Sequence, residues 1–219
     1  MNIAVFGTGM VGDTIGSKLI ELGHSVMIGS RTKDNEKAQA FVAKHAGKAT
    51  AGTFADAAAF AEIIFNCTAG AGSIDALKMA GEQNIDGKII IDVSNPLDFS
   101  KGMPPSLSVV NTNSLGEEIQ KTFPQAKVVK TLNTMWCGLM LNPTLIPGNN
   151  HINFICGNDI DSKAKVMALL NDFGWSSNQH IDLGDITAAR GTEGYLLLWT
   201  RVYGATKNGA FNIAIEKVN

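Results

Sequence analysis

A doubly wound α/β fold built on a parallel sheet is what this sequence predicts, and three observations carry the prediction. Short apolar runs of strand length recur along the chain at 3–6, 26–28, 63–65, 88–93 and 126–132. Helical patterns lie between them. Within 88–93, Ile89-Ile90-Ile91 is continuously apolar rather than alternating, which fits a strand covered on both faces. Strands that alternate with helices build a parallel sheet with helices on either side.

The first element is the run 3–6, which ends in Gly7-Thr8-Gly9-Met10-Val11-Gly12. A helical pattern follows, with Val11, Ile15, Leu19 and Leu22 on one face and Gly23 as its stop. The second strand, 26–28, comes next. Strand, glycine turn, helix and strand in this order open a dinucleotide-binding unit of the Rossmann type. Gly7 permits the tight turn, Gly9 leaves room for a pyrophosphate against the backbone, and Gly12 lets the helix lie close to the sheet. The unpaired N–H groups at the helix start favour phosphate.

The end of the second strand selects the cofactor. An NAD site usually places Asp or Glu there to accept bonds from the ribose hydroxyls. Here the sequence is Gly29-Ser30-Arg31-Thr32-Lys33, with no carboxylate before Asp34. The Ser30 hydroxyl and the Arg31 guanidinium suit a 2′-phosphate, and Lys33 or Lys37 adds charge. The expected cofactor is NADP.

Further along, 38–44 reads as helix, 48–52 as a short strand, and Thr53 as the cap of an alanine-rich helix over 54–60. The strand around 63–65 exits into Thr68-Ala69-Gly70-Ala71-Gly72, small enough for a flat ligand to lie close. A helix over 73–83 and the strand 88–93 lead into Ser94-Asn95-Pro96. Residues 98–110 read as irregular. Ser114 with Glu117 forms a capping-box signature for a helix that Pro124 ends. The strand 126–132 exits into Asn133-Thr134-Met135-Trp136-Cys137. Residues 142–150 read as loop and 151–156 as strand. Asp159 or Asp161 opens a helix to about 173, 175–181 is short and extended, and 186–203 is helical. That last helix is apolar nearly all round, which predicts burial under the sheet, over the cleft or against a second copy. The expected organisation is a dinucleotide-binding domain over 1–140. Residues 141–219 then complete the sheet and add a small C-terminal helical extension that caps the site and pairs two copies.

Composition narrows the partners. The 219 residues are 45% hydrophobic and 17% charged, and 18 Lys and Arg against 20 Asp and Glu give a net charge of −2. No electrostatic case arises for nucleic acid or a membrane surface. Cys67, Cys137 and Cys156 are odd in number and widely spaced, so they suggest neither disulfides nor a metal site, and point to a reducing cytoplasm. No signal peptide and no apolar run of membrane-spanning length is evident.

Together these strand-end motifs resemble the F420H2:NADP oxidoreductase family along nearly the whole chain. The similarity rests on Gly-Thr-Gly-Met-Val-Gly, Gly29-Ser30-Arg31, Val93-Ser94-Asn95-Pro96 and the segment from Val128 through Lys130 to Thr134. It continues in Cys156-Gly157-Asn158-Asp159 and in Asp182-Leu183-Gly184-Asp185 with the helix after it. The ferric-reductase domain of the six-transmembrane epithelial antigens looks similar too. The resemblance implies that Thr8, Gly9, Met10 and Val11 hold the pyrophosphate and that Ser30 and Arg31 hold the 2′-phosphate. Thr68 and Ala69 would lie along the cofactor, and Ser94, Asn95 and Pro96 near the nicotinamide. Asn133, Thr134, Met135, Trp136 and Cys137 would border the nicotinamide and the acceptor. Met135 and Trp136 depart from the family's pattern, so the acceptor is left open between a deazaflavin (F420) and a flavin-like ring.

The chemistry expected is hydride transfer between NADPH and a flat acceptor, in which the protein positions two rings and excludes water. No catalytic acid or base, nucleophile elbow or metal-ligand cluster stands out, and the histidines read as structural. Trp136 suits stacking on an acceptor ring or packing at a core or interface. Arg190 would face an anionic acceptor or pair with Glu193. Two alternatives compete. An imine or carbonyl reductase would need a Lys, Ser or Tyr poised in the cleft, and Lys130 is the only lysine at a strand end. A non-enzymatic NADP sensor would need no acceptor pocket at all.

Overall fold

The computed structural model describes residues 1–216 and 218. Its first half is three strand-helix pairs: β1 (Asn2–Phe6), α1 (Met10–Glu21), β2 (Ser25–Ser30), α2 (Glu36–Lys44), β3 (Ala49–Thr53) and α3 (Phe54–Phe60). Then come β4 (Ile63–Asn66), α4 (Ser73–Ala80), α5 (Glu82–Ile85) and β5 (Ile89–Asp92). A small hairpin, β6 (Leu97–Asp98) with β7 (Ser106–Leu107), precedes α6 (Leu115–Thr122), β8 (Lys127–Thr131) and α7 (Cys137–Leu141). The chain closes with β9 (Asn153–Gly157), α8 (Ile160–Asp172), β10 (His180–Asp182), α9 (Ala189–Gly194) and α10 (Leu196–Thr206).

Eight strands form one sheet in the order β10-β9-β8-β5-β4-β1-β2-β3. From β3 to β8 every pairing is parallel, as the apolar runs predict. The β8–β9 pairing is antiparallel, a common feature at the margin of an otherwise parallel sheet. Adjacent residues of each run feed opposite cores. Ile3, Val5, Ile89 and Ile91 pack with α1, α2, α7 and α8, while Ala4, Phe6 and Ile90 pack with α3, α4, α6 and α9. Both faces of the sheet are therefore dry, which is why these strands carry no polar alternation.

Several helix ends follow from local chemistry. Gly23 stops α1 at φ +85°, in the left-handed region. Thr53 and Asp56 form a reciprocal capping box on α3. Ser114 accepts from the Glu117 amide at the start of α6, and Asp159 accepts from the Ser162 amide at the start of α8.

Four expectations need correction. The helix over 73–83 is two helices, because Gly81 at φ +84° interrupts it. The stretch 98–110 is not wholly irregular, since Asp98 pairs with Ser106 in the hairpin. Residues 142–150 include a 3-10 turn at Pro143–Leu145, and the helix before it, α7, carries no polar periodicity to announce it. The helix over 186–203 is a 3-10 turn at Ile186–Ala188 followed by α9 and α10, which meet at Tyr195. Of α10, only Leu196 and Thr200 are buried, and Leu198 is 58% exposed, so a strongly apolar helix is left largely uncovered.

Candidate functional site

The sheet places the carboxyl ends of β2, β1, β4, β5 and β8 side by side, and the direction of crossover reverses between β1 and β4. Ligands of open α/β sheets bind outside such a switch point. A cleft of about 970 Å³ opens there, lined by Gly7, Thr8, Gly9, Ser30, Arg31, Thr68 and Ala69.

The glycine turn has three distinct environments. Gly7 sits at φ +111°, and a Cβ there would stand 2.7 Å from the Cys67 carbonyl oxygen. A Cβ on Gly12 would collide with the Gly7 carbonyl, so this glycine lets α1 close onto the turn. Gly9 caps α1, and a Cβ on it would meet nothing within 4 Å. The open face of Gly9, beside the unpaired N–H groups of a twelve-residue helix, has the shape and polarity a pyrophosphate requires. Met10 is exposed and Val11 half-buried.

At the end of β2, Ser30 is buried and Arg31, Thr32 and Lys33 are exposed. The Ser30 hydroxyl donates to the Thr32 carbonyl at 2.5 Å. A ligand phosphate would have to recruit that proton by rotating the hydroxyl. No carboxylate lies between Ser30 and Lys33, and the cleft is lined further by Asn35 at the start of α2 and by Asp75, Lys78 and Met79 of α4. Sequence reasoning missed the α4 wall. Its only signal was that a helix begins directly after the small-residue loop 68–72, which aims the first turns of α4 at the cleft.

Cys67 also lines the cleft. Burial, and after it the Asp92 charge, pushes its thiol well above the ordinary value, which favours the neutral form in the cleft wall.

Beyond the cleft the wall continues through tightly joined loops. The Gly70 backbone lies against the Asn95 carbonyl and Pro96 so closely that a Cβ could not be accommodated. Asn95 Nδ2 donates to the Asn133 carbonyl at 2.8 Å, and Asn133 Nδ2 donates to Asn95 Oδ1 at 2.9 Å. Leu132 makes this meeting possible by adopting φ +61°, costly for a leucine, while its amide donates to Asn153 Oδ1 at 3.2 Å. Ser94, Pro96, Asn133, Thr134, Met135 and Cys137 are buried, whereas Trp136 is exposed with its ring laid over Gly138.

Two polar residues have partners other than those the sequence suggested. Arg190 pairs with Glu117, Nε to Oε2 at 2.9 Å, and not with Glu193. Glu193 is drawn inward instead, where it accepts from the amides of Leu115 and Gly116 at 2.7 and 3.0 Å and pairs with Lys130 at 2.8 Å. The four histidines all lie outside the cleft. His151, for instance, is buried between the Pro143 carbonyl and Asn212. Among the described residues no group of three His, Cys, Asp or Glu side chains could hold a metal ion, and no helix is long and apolar enough to cross a membrane.

This fold, with a glycine turn at its switch point and a basic, carboxylate-free end to β2, defines a dinucleotide-binding oxidoreductase of the NADP class. Residues 2–96 match the family model described as NADP oxidoreductase, coenzyme F420-dependent. The crystal structure of a candidate F420-dependent NADP-reductase from Arthrobacter sp. FB24 is 48% identical, with a TM-score of 0.93 over 98% of this chain and 99% of that one. The chain belongs to this family of NADP-dependent oxidoreductases, and NADP is its cofactor. The metalloreductase STEAP3 of Rattus norvegicus is 26% identical over 202 residues, 87% of this chain, and the chain spans 35% of that protein's length. An imine reductase from Aspergillus terreus, solved with NADPH4 and dibenz[c,e]azepine, shares the fold at 18% identity and a TM-score of 0.66, over 94% of this chain and 62% of that one.

Proposed function

We propose that this protein transfers a hydride between NADPH and a flat, electron-poor acceptor of the deazaflavin or flavin class. The observation that carries the reading is the state of Lys130. Among the described residues it is the only lysine toward the carboxyl end of a strand, and a reductase of imines or carbonyls would need a Lys, Ser or Tyr in the cleft to supply a proton. Here its side chain is 0% exposed and ion-paired to Asp92 and Glu193. The remaining wall at this end, Ser94, Asn95, Pro96, Asn133 and Thr134, is uncharged. Such a wall suits a reaction in which two rings need placement more than proton transfer.

In this reading bound NADP supplies or receives the hydride, and the chain's residues do the positioning. Gly7, Thr8, Gly9, Met10, Val11 and Gly12 receive the pyrophosphate. Ser30, Arg31, Thr32 and Lys33 receive the 2′-phosphate. Thr68 and Ala69 line the path to the nicotinamide, which Ser94, Asn95, Pro96, Asn133 and Thr134 surround. Met135, Trp136 and Cys137 border the acceptor, with Trp136 as the exposed ring available for stacking. The family's description and the Arthrobacter relative favour F420 as the acceptor.

The part spanning 141–219 carries α10, whose Leu197 and Leu198 are exposed and offer apolar surface to a second copy of the chain. We take the working form to be a homodimer, and its compartment, on the three unpaired cysteines, the cytoplasm. Anaerobic stopped-flow mixing of NADPH with F420, FMN, riboflavin and ferric chelates tests the reading. Oxidation of NADPH by a deazaflavin or flavin is expected, and inertness toward every one of these acceptors would sink it.

A further inference from the structure

Among the described residues the most deeply buried ionic group lies behind the cleft wall, and hydride transfer makes no direct use of it. Asp92 and Lys130 are register partners at the ends of β5 and β8. The Lys130 ammonium has three protons and three acceptors: Asp92 Oδ2 at 2.8 Å, Glu193 Oε1 at 2.8 Å and the Ser94 carbonyl at 2.6 Å. Asp92 Oδ1 in turn accepts from the Ser94 amide at 3.1 Å, the Ser94 hydroxyl at 2.6 Å and Asn66 Nδ2 at 2.9 Å. Asn66 Oδ1 accepts from the Thr68 hydroxyl at 2.7 Å. At the other end, Glu193 of α9 holds the first amides of α6.

Stability alone does not account for burying three charges, because well-packed apolar side chains of similar size would serve as well or better. What the network does uniquely is grip one residue from two sides. Ser94 is fixed through its carbonyl by Lys130 and through its amide and hydroxyl by Asp92. The next residue, Asn95, is the one that joins the loop to Asn133.

We propose that Asp92 and Lys130 are positioning residues. They set the Ser94–Pro96 loop at the nicotinamide end of the site, and through Glu193 they tie that loop to the C-terminal helices. The catalytic consequence rests on the hydride-transfer reading; the mechanical one does not. Burial by itself would lower the Lys130 pKa, but the Asp92 and Glu193 carboxylates outweigh it and hold the ammonium charged.

The test compares wild type with the charge-free variant Asp92→Leu/Lys130→Met/Glu193→Gln, which strips the grip without leaving an unpaired buried charge. Amide exchange at Ser94 should quicken at least ~10-fold while that of β1 and the glycine turn stays as in wild type. Dissociation of NADP should change less than about threefold, and the hydride-transfer rate constant should fall ~10-fold or more at unchanged KM for NADPH, as a misplaced ring requires. Wild-type exchange rates and rate constants in the variant would overturn the proposal, and so would a uniform rise in exchange across the sheet. Should the variant not fold, the wild-type protein decides by itself. The Ser94 amide should be as protected as that of Ile91, and exchange as fast as at exposed Ser100 would refute the grip. A wild type that moves no hydride to any acceptor would end the functional reading while leaving the exchange result to stand or fall separately.

Discussion

Asn95 and Asn133 bind each other reciprocally, side chain to backbone at 2.8 Å and side chain to side chain at 2.9 Å, and so lock together the loops after β5 and β8. Asn95→Ala removes both bonds and so releases the two loops, whereas Asn133→Ala leaves the bond from Asn95 Nδ2 to the backbone carbonyl of residue 133 in place. Asn95→Ala should therefore lower the hydride-transfer rate constant by ~10- to 100-fold, the range expected when a reacting ring shifts by about an ångström, and Asn133→Ala should lower it less. NADP affinity, set mainly at the phosphates, should change little. Single-turnover kinetics beside isothermal titration separates the two, and an equal loss in both would contradict the assignment.

Arg31 is the exposed cation at the end of β2 and faces no carboxylate between Ser30 and Lys33. Arg31→Ala should weaken NADPH binding by about 10- to 100-fold, equivalent to a charged hydrogen bond of roughly 1.5–3 kcal/mol. NADH binding, which lacks the phosphate, should be unchanged. Titration of both nucleotides against both proteins checks this, and an unchanged NADPH affinity would remove Arg31 from the 2′-phosphate site.

Gly12 and Gly9 should respond to alanine in opposite ways. The Cβ of Gly12→Ala has the Gly7 carbonyl in its path, and overpacking of this kind costs about 1–3 kcal/mol of stability. Gly9→Ala meets open space. Its stability should stay within about 0.5 kcal/mol of wild type. Its NADP affinity should nonetheless fall, because the new methyl occupies the face meant for the pyrophosphate. Urea melts and nucleotide titration of the two variants give the comparison.

The Glu117–Arg190 pair predicts a pH dependence. The Arg190 hydrogen bond, opposed by partial burial and aided by the Ser114 hydroxyl, holds the Glu117 carboxyl below its ordinary value of 4.5. A carboxylate with a depressed folded-state pKa stabilises the fold above its unfolded pKa, and the contribution disappears as pH falls through the folded one. Arg190→Ala should therefore lower the urea midpoint at pH 7 and match wild type in acid below the folded pKa of Glu117. A difference that persists in acid would assign the effect to packing.

The exposed Leu197 and Leu198 of α10 predict self-association. Light scattering at micromolar concentration should report a dimer, and Leu198→Asp should shift it to monomer without loss of the far-ultraviolet helical signal. A monomeric wild type would contradict the assembly.

Apolar period and glycine punctuation made the first half of the fold legible. The runs at 3–6, 63–65 and 88–93 each became a central strand, and Gly7, Gly12 and Gly23 each stand where a side chain or an ordinary φ would not fit. What escaped was set by residues far apart in the chain. Arg190 seemed a natural partner for Glu193 on the same helix face, but the buried ammonium of Lys130 and the amide ends of α6 draw Glu193 inside, leaving Arg190 to Glu117. The antiparallel turn of β9 is equally silent, since a buried strand reads the same in either direction. Among the site loops, the glycine turn and Arg31 could be read from local pattern. The Asn95–Asn133 pairing could not, because it depends on the left-handed Leu132, at a residue type that gives no hint of it.

The most direct test of the central claim follows the hydride itself. The protein is mixed anaerobically with F420 and NADPH deuterated at the nicotinamide C4 positions, and the reduced deazaflavin is analysed by mass and by proton resonance. Direct transfer across the site predicts one deuterium on the carbon that receives the hydride, with none washed into solvent. Reduced deazaflavin without that deuterium, or no reduction at all, would contradict the account.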